Sequence, residues 1–446
     1  HAEGGGSALA PRNDPNSIVI RNKNIRNNEA TGTLSASGGG ITCGNAIICN
    51  NSIVNNTVQI TESGSIYKCS GGGIFASGSD NPEPFYIKLT GNVISGNKSL
   101  SGSNDEWNGY GGGISLYNVM GIMKNNTITE NEISTFNKCL GGGIVCMYSD
   151  TSLLIEGNII SHNYFSNGQS LGGGLMFYNA SARLVNNMIY KNLSTKGGGL
   201  YIWDEDGGNG IAQIINNTIA ENEADDDGGA IYNDNTVSYV FNTIIWDNES
   251  NGGDDLSGDY EIRYSDIEGD FTGEGNIDED PEFIDPDNDD FHIPEDSPCA
   301  IKGMEVVRIN DTWLYCPVTD FEGDPRPWEA GTLPDMGADE VFNPIVGIRN
   351  PEQSELNVSV YPNPCSNATR LRYLIHDPSA SLGTGSGYLI SDLYMISGKK
   401  IRELVRQEAT PSEFELEIDV SDLPAGVYLI KIQTGDVIAL KKLIVQ

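Results

Sequence analysis

Residues Asn125–Cys146 read NNTITENEISTFNKCLGGGIVC, and this stretch contains the two motifs that decide the fold. The first is the hexad NTITEN, Asn126–Asn131, and the second is the glycine triplet Gly141–Gly143, which is followed by an isoleucine. Both motifs return at a spacing of about 25–40 residues. Such self-similarity is typical of a solenoid, in which each repeat packs only on its neighbours.

Eight hexads, the last with one extra residue, are found by their closing asparagine. They end at Asn28, Asn56, Asn97, Asn131, Asn163, Asn192, Asn222 and Asn248. Glycine clusters alternate with the hexads, and most of them precede an isoleucine or leucine. They lie at Gly4–Gly6, Gly38–Gly40, Gly71–Gly73, Gly111–Gly113, Gly141–Gly143, Gly172–Gly174, Gly197–Gly199 and Gly228–Gly229. Because the pattern is already present at Gly4–Gly6, we expect the chain to begin inside the solenoid, downstream of a processed or omitted N-terminus.

The composition of the repeats favours strands over helices. Glycine triplets and Asn/Thr/Ile segments are poor helix formers, whereas β-branched residues between Gly and Asn read as short strands. In a parallel β-helix, equivalent residues stack at about 4.8 Å, so every position meets its own copies above and below. Isoleucines of the hexads then form an inner apolar column: Ile94, Ile128, Ile160, Ile189 and Ile219.

The asparagines and glycines are predicted to form corners of the coil. Asparagine tolerates the left-handed αL conformation and can pass amide hydrogen bonds from coil to coil as a ladder. We expect this ladder at Asn97, Asn131, Asn163, Asn192 and Asn222. Glycine triplets suit the opposite corner, where a positive φ or close coil contact excludes a Cβ.

These repeats resemble those of known β-helix families. GGGI or GGAIYN (Gly228–Asn233) alternating with IxxN is similar to polymorphic outer-membrane-protein repeats and to the pectate-lyase-like superfamily over roughly residues 1–250. The resemblance implies an all-β fold with a right-handed parallel β-helix of about eight coils. It leaves the activity open, because that superfamily includes lyases, glycosidases, epimerases and adhesins.

Residues 251–340 are predicted to form an irregular, acidic cap on the C-terminal end of the solenoid. The chain has a formal net charge of −36, and such a field repels nucleic acid and anionic membranes but attracts Ca²⁺. Asp285, Asp287 and Asp289 alternate in a way that can direct carboxylates to one cation, although a solvated charged turn is the alternative. Cys299 and Cys316 could pair in this segment.

Residues 341–446 change to an alternation of apolar and polar residues, which predicts an antiparallel, Ig-like β-sandwich of about seven strands. Four motifs occur there in order: YPNP, SGK, LPAGVY and a terminal KKLIV. They resemble the type IX secretion C-terminal sorting domain. The resemblance implies recognition by the type IX machinery and a secreted or cell-surface location on a Gram-negative, Bacteroidetes-like bacterium. The matching residues are Tyr361, Pro362, Asn363, Pro364, Gly398, Pro424, Gly426, Tyr428, Lys441 and Lys442.

The sequence does not contain the ordered aspartate and histidine motifs of polygalacturonases. Arg183, Lys191 and Lys196 are the candidate bases for a polyuronate lyase, and His162 is expected to face solvent at a corner. Aromatic residues gather in the connection from each corner asparagine to the next glycine cluster, where they either pack the loops or form a binding face. They are Tyr67, Trp107, Tyr110, Phe136, Tyr164 and Phe165.

We therefore favour a surface-exposed or secreted solenoid that is adhesin-like, structural or carbohydrate-binding, without catalysis by this portion. Two alternatives remain: a polysaccharide lyase or glycoside hydrolase, and a fibre subunit that associates end to end.

Overall fold

The computed structural model describes residues 18–33, 35–61, 68–78, 85–101, 107–149, 152–205, 211–269, 271–328, 332–341, 356–361, 368–375, 388–395, 400–408, 413–424, 426–434 and 437–445. The chain forms two compact units, His1–Val341 and Phe342–Gln446. Each described element of the first unit is a strand apart from one short 3-10 turn, Pro286–Asn288. Among the described residues, no helix is long and apolar enough to span a membrane.

The first unit is a parallel β-helix whose coils contain strands from four rows. The glycine row follows the glycine clusters: Ile41–Cys43, Ile74–Ser77, Ile114–Tyr117, Ile144–Met147, Leu175–Tyr178, Leu200–Trp203, Ile231–Phe241 and Leu256–Arg263. The second row precedes the hexads: Ile18–Arg21, Ala46–Cys49, Phe85–Thr90, Val119–Lys124, Leu153–Glu156, Ala182–Val185 and Ala212–Ile215. Because the long strand Ile231–Phe241 pairs with both rows, they form a single 15-stranded sheet.

The other two rows complete each coil. The nine-stranded hexad row contains Asn24–Arg26, Ser52–Val54, Val93–Ser95, Thr127–Thr129, Ile159–Ser161, Met188–Tyr190, Thr218–Ala220, Ile244–Trp246 and Asp266–Ile267. The 11-stranded fourth row contains Glu29–Gly32, Ser35–Ser37, Thr57–Ile60, Lys68–Ser70, Lys98–Ser101, Trp107–Tyr110, Glu132–Leu140, Tyr164–Leu171, Leu193–Lys196, Glu223–Asp227 and Glu249–Ser250. The connections that we expected to be variable loops are thus largely strands of this fourth row.

Identical side chains stack inside the solenoid. The isoleucine column runs in register from Ile94 through Ile128, Ile160, Ile189 and Ile219, and all five side chains are fully buried. These findings confirm the all-β solenoid fold that the repeat predicts.

Two parallel asparagine ladders run along this interior. In the first ladder the Nδ2 of each closing asparagine donates to the Oδ1 of the next, as from Asn131 to Asn163 (2.9 Å) and from Asn163 to Asn192 (2.9 Å). The second ladder uses the opening asparagines of the six hexads from Asn51 to Asn217, as from Asn126 to Asn158 (2.9 Å). Because these side chains are buried, the ladder supplies the hydrogen-bond partners that their amides require.

The left-handed corner is made by the residue before each ladder asparagine, and not by the ladder asparagine as expected. Asn125 (φ 53°) precedes Asn126, and Glu130 (φ 57°) precedes Asn131. The reversal of the chain at the αL residue turns the following side chain inward, which is where a ladder residue must point.

Each glycine triplet in the described part of the chain lies against the first ladder. Gly141 has a φ of 70°, a Cβ on Gly142 would come within 2.5 Å of the Gly173 oxygen, and a Cβ on Gly143 would come within 2.9 Å of the Asn163 Nδ2. Glycine is therefore required at Gly141 by its positive φ, and at Gly142 and Gly143 because neighbouring atoms leave no room for a Cβ.

The solenoid continues past residue 250, because Leu256–Arg263 pairs with Ile231–Phe241 and Asp266–Ile267 pairs with Ile244–Trp246. The following cap packs on the last coils through Phe291 and Ala338, which join a cluster with Met188 and Tyr190. The buried Arg326 guanidinium donates to the Ala338 carbonyl oxygen (2.9 Å) and to Asn186 Oδ1 (3.2 Å) of the solenoid, and its Nε lies 3.1 Å from Glu340 Oε2.

Cys299 and Cys316 are both free thiols, so the pairing considered from the sequence does not occur. The Cys299 thiol instead donates to the buried Asp266 Oδ2 (2.9 Å).

The described residues of the second unit form seven strands in two antiparallel sheets. One sheet contains Leu356–Tyr361, Ala368–Ile375 and Glu413–Asp419, and the other contains Lys400–Glu408, Tyr388–Met395, Gly426–Thr434 and Val437–Val445. Their shared core includes Leu371, Leu393, Ile418, Ile430 and Leu443.

Candidate ligand-binding groove

The glycine row supplies the side chains of a groove on the outside of the solenoid. The first residue after each triplet, such as Leu175 or Leu200, points inward and is fully buried. Because side chains alternate along a strand, the second and fourth residues point outward. The fourth residues include Tyr117, Met147, Tyr178 and Trp203, which stack in register over successive coils.

The outward second residues are nevertheless buried. Val145, Met176 and Tyr201 form a separate apolar cluster with Leu140 and Leu171, which lie at the ends of fourth-row strands. The two rows meet at the glycine corner, so their outer faces enclose a concave surface there. We call this surface the aromatic groove, defined by Tyr110, Tyr117, Tyr148, Tyr178, Tyr201, Trp203 and Tyr232.

One edge of the aromatic groove is a continuous file of rings. The Tyr117 and Tyr148 centroids are 5.2 Å apart, those of Tyr148 and Tyr178 are 5.5 Å apart, and those of Tyr178 and Trp203 are 5.0 Å apart. The last two contacts are edge-to-face, which is a favoured geometry for aromatic pairs. Deeper in the groove, the Tyr201 and Tyr232 rings stack 4.9 Å apart and 6° from parallel.

A pocket of about 260 Å³ opens in the groove. Its lining comes from both rows: Lys138, Gln169, Leu171, Thr195, Lys196, Tyr201, Trp203, Asp226 and Asp234. A site with an apolar floor and a few convergent polar groups is the usual form of a small-ligand pocket.

Polar contacts fix the rings. The Tyr201 hydroxyl donates to Asp234 Oδ2 (3.1 Å), and the Tyr178 hydroxyl donates to Glu205. The Lys196 ammonium lies 4.7 Å from the centre of the Tyr232 ring, within cation–π range. The groove therefore offers donors and acceptors around its aromatic surfaces.

The pKa values of three phenol groups in the groove, those of Tyr110, Tyr178 and Tyr201, are raised. Burial raises the pKa of Tyr110 to about 12. The pKa of Tyr201 is raised by burial and by the nearby Asp234 carboxylate, and that of Tyr178 by burial and its hydrogen bond to Glu205. These hydroxyls are therefore hydrogen-bonding groups, and deprotonation near neutral pH is strongly disfavoured.

The structure places only part of the expected aromatic set here. Tyr110 is in the groove, whereas the Tyr164 hydroxyl donates to Glu132 Oε2 (3.3 Å) at the start of a fourth-row strand, and the adjacent Phe165 is half-buried. Tyr67 and the side chains of Trp107 and Phe136 lie outside the described residues. Sequence reasoning missed the other groove aromatics, although the alternation after each triplet was a usable signal for Tyr117, Tyr178 and Trp203.

The basic residues proposed for lyase chemistry separate in the structure. Lys196 borders the pocket, but the Lys191 ammonium holds the cap through Asp289 Oδ1 (2.7 Å) and the Pro286 carbonyl oxygen (2.7 Å). Arg183 lies in the second-row strand Ala182–Val185.

His162 does not simply face solvent as expected. It occupies an αL corner with a φ of 53°, its Nε2 lies 3.0 Å from Asp289 Oδ2, and its ring contacts Tyr190 edge-on. The physical reason is the cap, whose turn at residues 286–289 folds back onto this corner.

The carboxylates predicted for calcium are already engaged in part. Asp289 accepts from Lys191 and His162, and Asp285 Oδ2 accepts from Asn288 (2.8 Å). Among the described residues, the groupings of potential ligand atoms do not include Asp285, Asp287 or Asp289, so a calcium site there stays a prediction. Those groupings are His292, Glu322 and Asp339, and Asp320, Glu322 and Asp324.

The carboxylate oxygens of Asp320, in the second grouping, already accept hydrogen bonds from backbone amides. Its Oδ1 accepts from the amides of Glu322, Gly323 and Asp324, and its Oδ2 accepts from that of Glu340. This arrangement organises the cap turn.

Most of the described sorting residues lie on the strands Leu356–Tyr361, Gly426–Thr434 and Val437–Val445, and Gly426–Thr434 is an inner strand of its sheet. The Tyr428 hydroxyl donates to the Pro424 carbonyl oxygen (2.7 Å), and Gly426 begins the next strand. Lys441 is exposed, and Lys442 follows it in the strand Val437–Val445. Tyr361 ends its strand, while Pro362, Asn363, Pro364 and Gly398 lie outside the described residues.

The fold and the groove define the first unit as a parallel β-helix with an external, concave aromatic surface. Residues 359–446 match the family of secretion system C-terminal sorting domains, which confirms the type IX sorting domain at the end of the chain. The chain is therefore a secreted or cell-surface protein that the type IX secretion machinery recognises. No curated protein and no solved structure matches it significantly.

Proposed function

We propose that the solenoid is a carbohydrate-binding, adhesin-like module, presented at the outer-membrane surface after export, whose aromatic groove holds a segment of a glycan chain. The observation that carries this proposal is the file of rings from Tyr117 through Tyr148 and Tyr178 to Trp203. Successive coils place these rings along the solenoid axis, so an extended ligand can meet several of them at once.

The chemistry of the groove suits sugar rings. A pyranose presents C–H groups on its faces and hydroxyls around its rim, and the electron-rich face of an aromatic ring attracts such C–H groups. Glu205, Asp226 and Asp234 supply acceptors, and Lys138 and Lys196 supply donors, beside the aromatic floor. The resemblance of the repeats to the pectate-lyase-like superfamily supports the same class of ligand.

A glycan array and affinity electrophoresis on a polysaccharide panel test the proposal with the full chain. We expect Trp203→Ala to weaken retention about tenfold, because a stacked ring contributes roughly 1–1.5 kcal/mol. Tyr86→Ala is the control, since Tyr86 is an exposed aromatic on an outward strand position but lies in the second row. Equal retention of the wild type and the Trp203→Ala variant on every glycan that binds, or no binding at all, would refute the groove as the site.

Catalysis is the second candidate function, because Lys196, Tyr201, Asp226 and Asp234 border one pocket. A lysine can stabilise the carboxylate of a uronate or remove the proton from the carbon next to that carboxylate, and a carboxyl group can protonate a leaving oxygen. Release of unsaturated or reducing ends that is lost in Lys196→Ala and kept in Lys124→Ala would favour this function over simple binding. Lys124 is a suitable control because it is bound to Glu156 (2.7 Å) outside the pocket.

End-to-end self-association is the third prediction, and sedimentation of the purified chain tests it. A concentration-independent monomer would count against a fibre subunit.

A further inference from the structure

The cap carries a β-hairpin with two apolar faces. Its strands, Val306–Ile309 and Thr312–Tyr315, pair in antiparallel fashion. One face packs Val307, Ile309 and Leu314 against the solenoid cluster that contains Ile215 and Phe241. This contact explains why the hairpin is held on the solenoid, but it does not use the residues on the other face.

The outer face presents aromatic residues to solvent. Trp313 is 55% exposed and Tyr315 is 61% exposed, and Val306, which lies directly opposite Tyr315, is 37% exposed. Adjoining exposed apolar side chains mark a binding site in many proteins. Arg308 is the cross-strand neighbour of Trp313, and its guanidinium lies 5.8 Å from the centre of the indole ring.

The size of this face indicates what covers it. Three side chains expose at most a few hundred Å², whereas a stable contact with a second protein buries about 800 Å² on each partner. The face is therefore too small to hold a second copy of the chain or another globular protein by itself. A ligand of about one or two rings fits the area.

The chemistry of the face selects among small ligands. Trp313 and Tyr315 occupy alternate positions of one strand, so their side chains leave the same face about 7 Å apart. Arg308 Nη2 donates to Asp311 Oδ1 (2.8 Å), which holds a charged, multidentate donor at the edge of the rings. Aromatic faces with polar groups at their rim match the apolar faces and equatorial hydroxyls of pyranose sugars.

We propose that this hairpin face, formed by Val306, Arg308, Trp313 and Tyr315, is a second carbohydrate contact, separate from the aromatic groove. It holds one or two sugar rings of a glycan by stacking on Trp313 and Tyr315. Two weak contacts on one molecule increase the overall affinity for a long polysaccharide without a new contact at either site, provided that one chain can span both.

Affinity electrophoresis of the full chain on hydroxyethyl cellulose, xylan, mannan and polygalacturonate tests the hairpin. We expect Trp313→Ala to weaken retardation about 5–10-fold on at least one of these polymers, as the loss of one stacked ring predicts. Tyr86→Ala is again the exposed-aromatic control, and far-UV circular dichroism verifies that each variant is folded.

A second measurement distinguishes direct contact from a structural effect. In the Trp203→Ala background, which lacks the groove tryptophan, iodide quenching of tryptophan fluorescence should decrease when the retarding polymer is added, and this protection should disappear once Trp313→Phe is introduced as well. The same variant keeps a ring at the position and should keep most of the retardation.

The outcomes also separate the hairpin from the groove. If Trp313→Ala reduces retardation in both the wild type and the Trp203→Ala background, the hairpin is a site of its own, whatever the groove does. Unchanged retardation by Trp313→Ala on all four polymers overturns the hairpin site and leaves the groove to be decided by Trp203→Ala. A change in sedimentation caused by Trp313→Ala, without any change in retardation, also overturns it, because the face would then be a protein interface.

Discussion

Replacement of Asn163 by alanine tests the buried amide ladder directly. The Asn163 Nδ2 donates to Asn192 Oδ1 (2.9 Å) and to the Ile128 carbonyl oxygen (3.0 Å). Its Oδ1 accepts from the Asn131 amide (3.1 Å) and from Asn131 Nδ2 (2.9 Å). All four bonds disappear in Asn163→Ala, while Asn131 Nδ2 keeps its second bond to the Ile94 carbonyl oxygen (2.9 Å).

The expected loss follows from these contacts. The Asn131 amide is left buried without this acceptor, at a cost of about 1–3 kcal/mol, and each other lost bond contributes roughly 0.5–1.5 kcal/mol. We therefore expect the free energy of unfolding to fall by about 3–5 kcal/mol. Asn28→Ala is the matched control, because Asn28 lies at the partly exposed start of the ladder and its side chain donates only to Asn56 Oδ1 (2.7 Å). Its loss should be about 1 kcal/mol or less.

Urea unfolding followed by far-UV circular dichroism measures the two losses. Because a solenoid can open a few coils at a time, hydrogen exchange of the peptide Asn125–Cys146 should be read in parallel. Faster exchange in this peptide is expected for Asn163→Ala and not for Asn28→Ala. If the two variants lose the same stability, the ladder does not contribute as the hydrogen bonds imply, and the reasoning fails.

Four other predictions follow from the packing, two carboxylates and the sorting domain. Gly142→Ala should lower the free energy of unfolding by more than about 2 kcal/mol, because its Cβ would come within 2.5 Å of a backbone oxygen. Gly269→Ala is the control, because Gly269 has a φ of 100° and open space around it, and this variant should lose only about 1 kcal/mol. Thermal or urea unfolding measures both losses. Burial raises the pKa of Asp266 to about 6, so its contribution to stability is complete below about pH 4 and is lost as the pH rises through 6; Asp266→Asn should therefore gain stability relative to the wild type over that interval in a urea series. Burial raises the pKa of Asp289, but the hydrogen bonds from Lys191 and His162 outweigh this effect and leave the pKa lowered. The wild type should therefore be more stable than Asp289→Asn at neutral pH, and this difference in the free energy of unfolding should be lost as the pH falls. Deletion of residues 427–446 removes two strands of the four-stranded sheet and should trap the protein in the periplasm; unchanged surface display, detected by accessibility to external protease, would contradict the role of these strands.

The fold could be predicted from the sequence because each coil repeats the same local solution. Each motif residue stacks on its own copies in the neighbouring coils, as the isoleucine of NTITEN, the closing asparagine and the glycine triplet show. A single motif therefore predicts the contacts of many coils. The αL residue was misassigned because Asn125 and Asn131 are both asparagines, and propensity cannot tell the residue that turns the chain from the one that points inward.

The candidate site was less predictable, for two physical reasons. The groove depends on the angle between two rows, and a single strand such as Leu175–Tyr178 does not reveal whether its outward Met176 is covered. The contact between Lys191 and Asp289 joins residues 98 positions apart, and no repeat register relates the cap to the solenoid.

The amide ladder has a direction, since each closing asparagine from Asn28 to Asn222 donates one Nδ2 hydrogen to the asparagine on its C-terminal side. A coil that does not bind the cap can therefore be excised whole, from one hexad to the next, and the two cut surfaces will still meet donor to acceptor. Removal of part of a coil does not preserve these hydrogen bonds, because different side chains would then stack on the ladder asparagines. The solenoid can therefore become longer or shorter by duplication or loss of complete coils, while the residue type at each corner position stays the same.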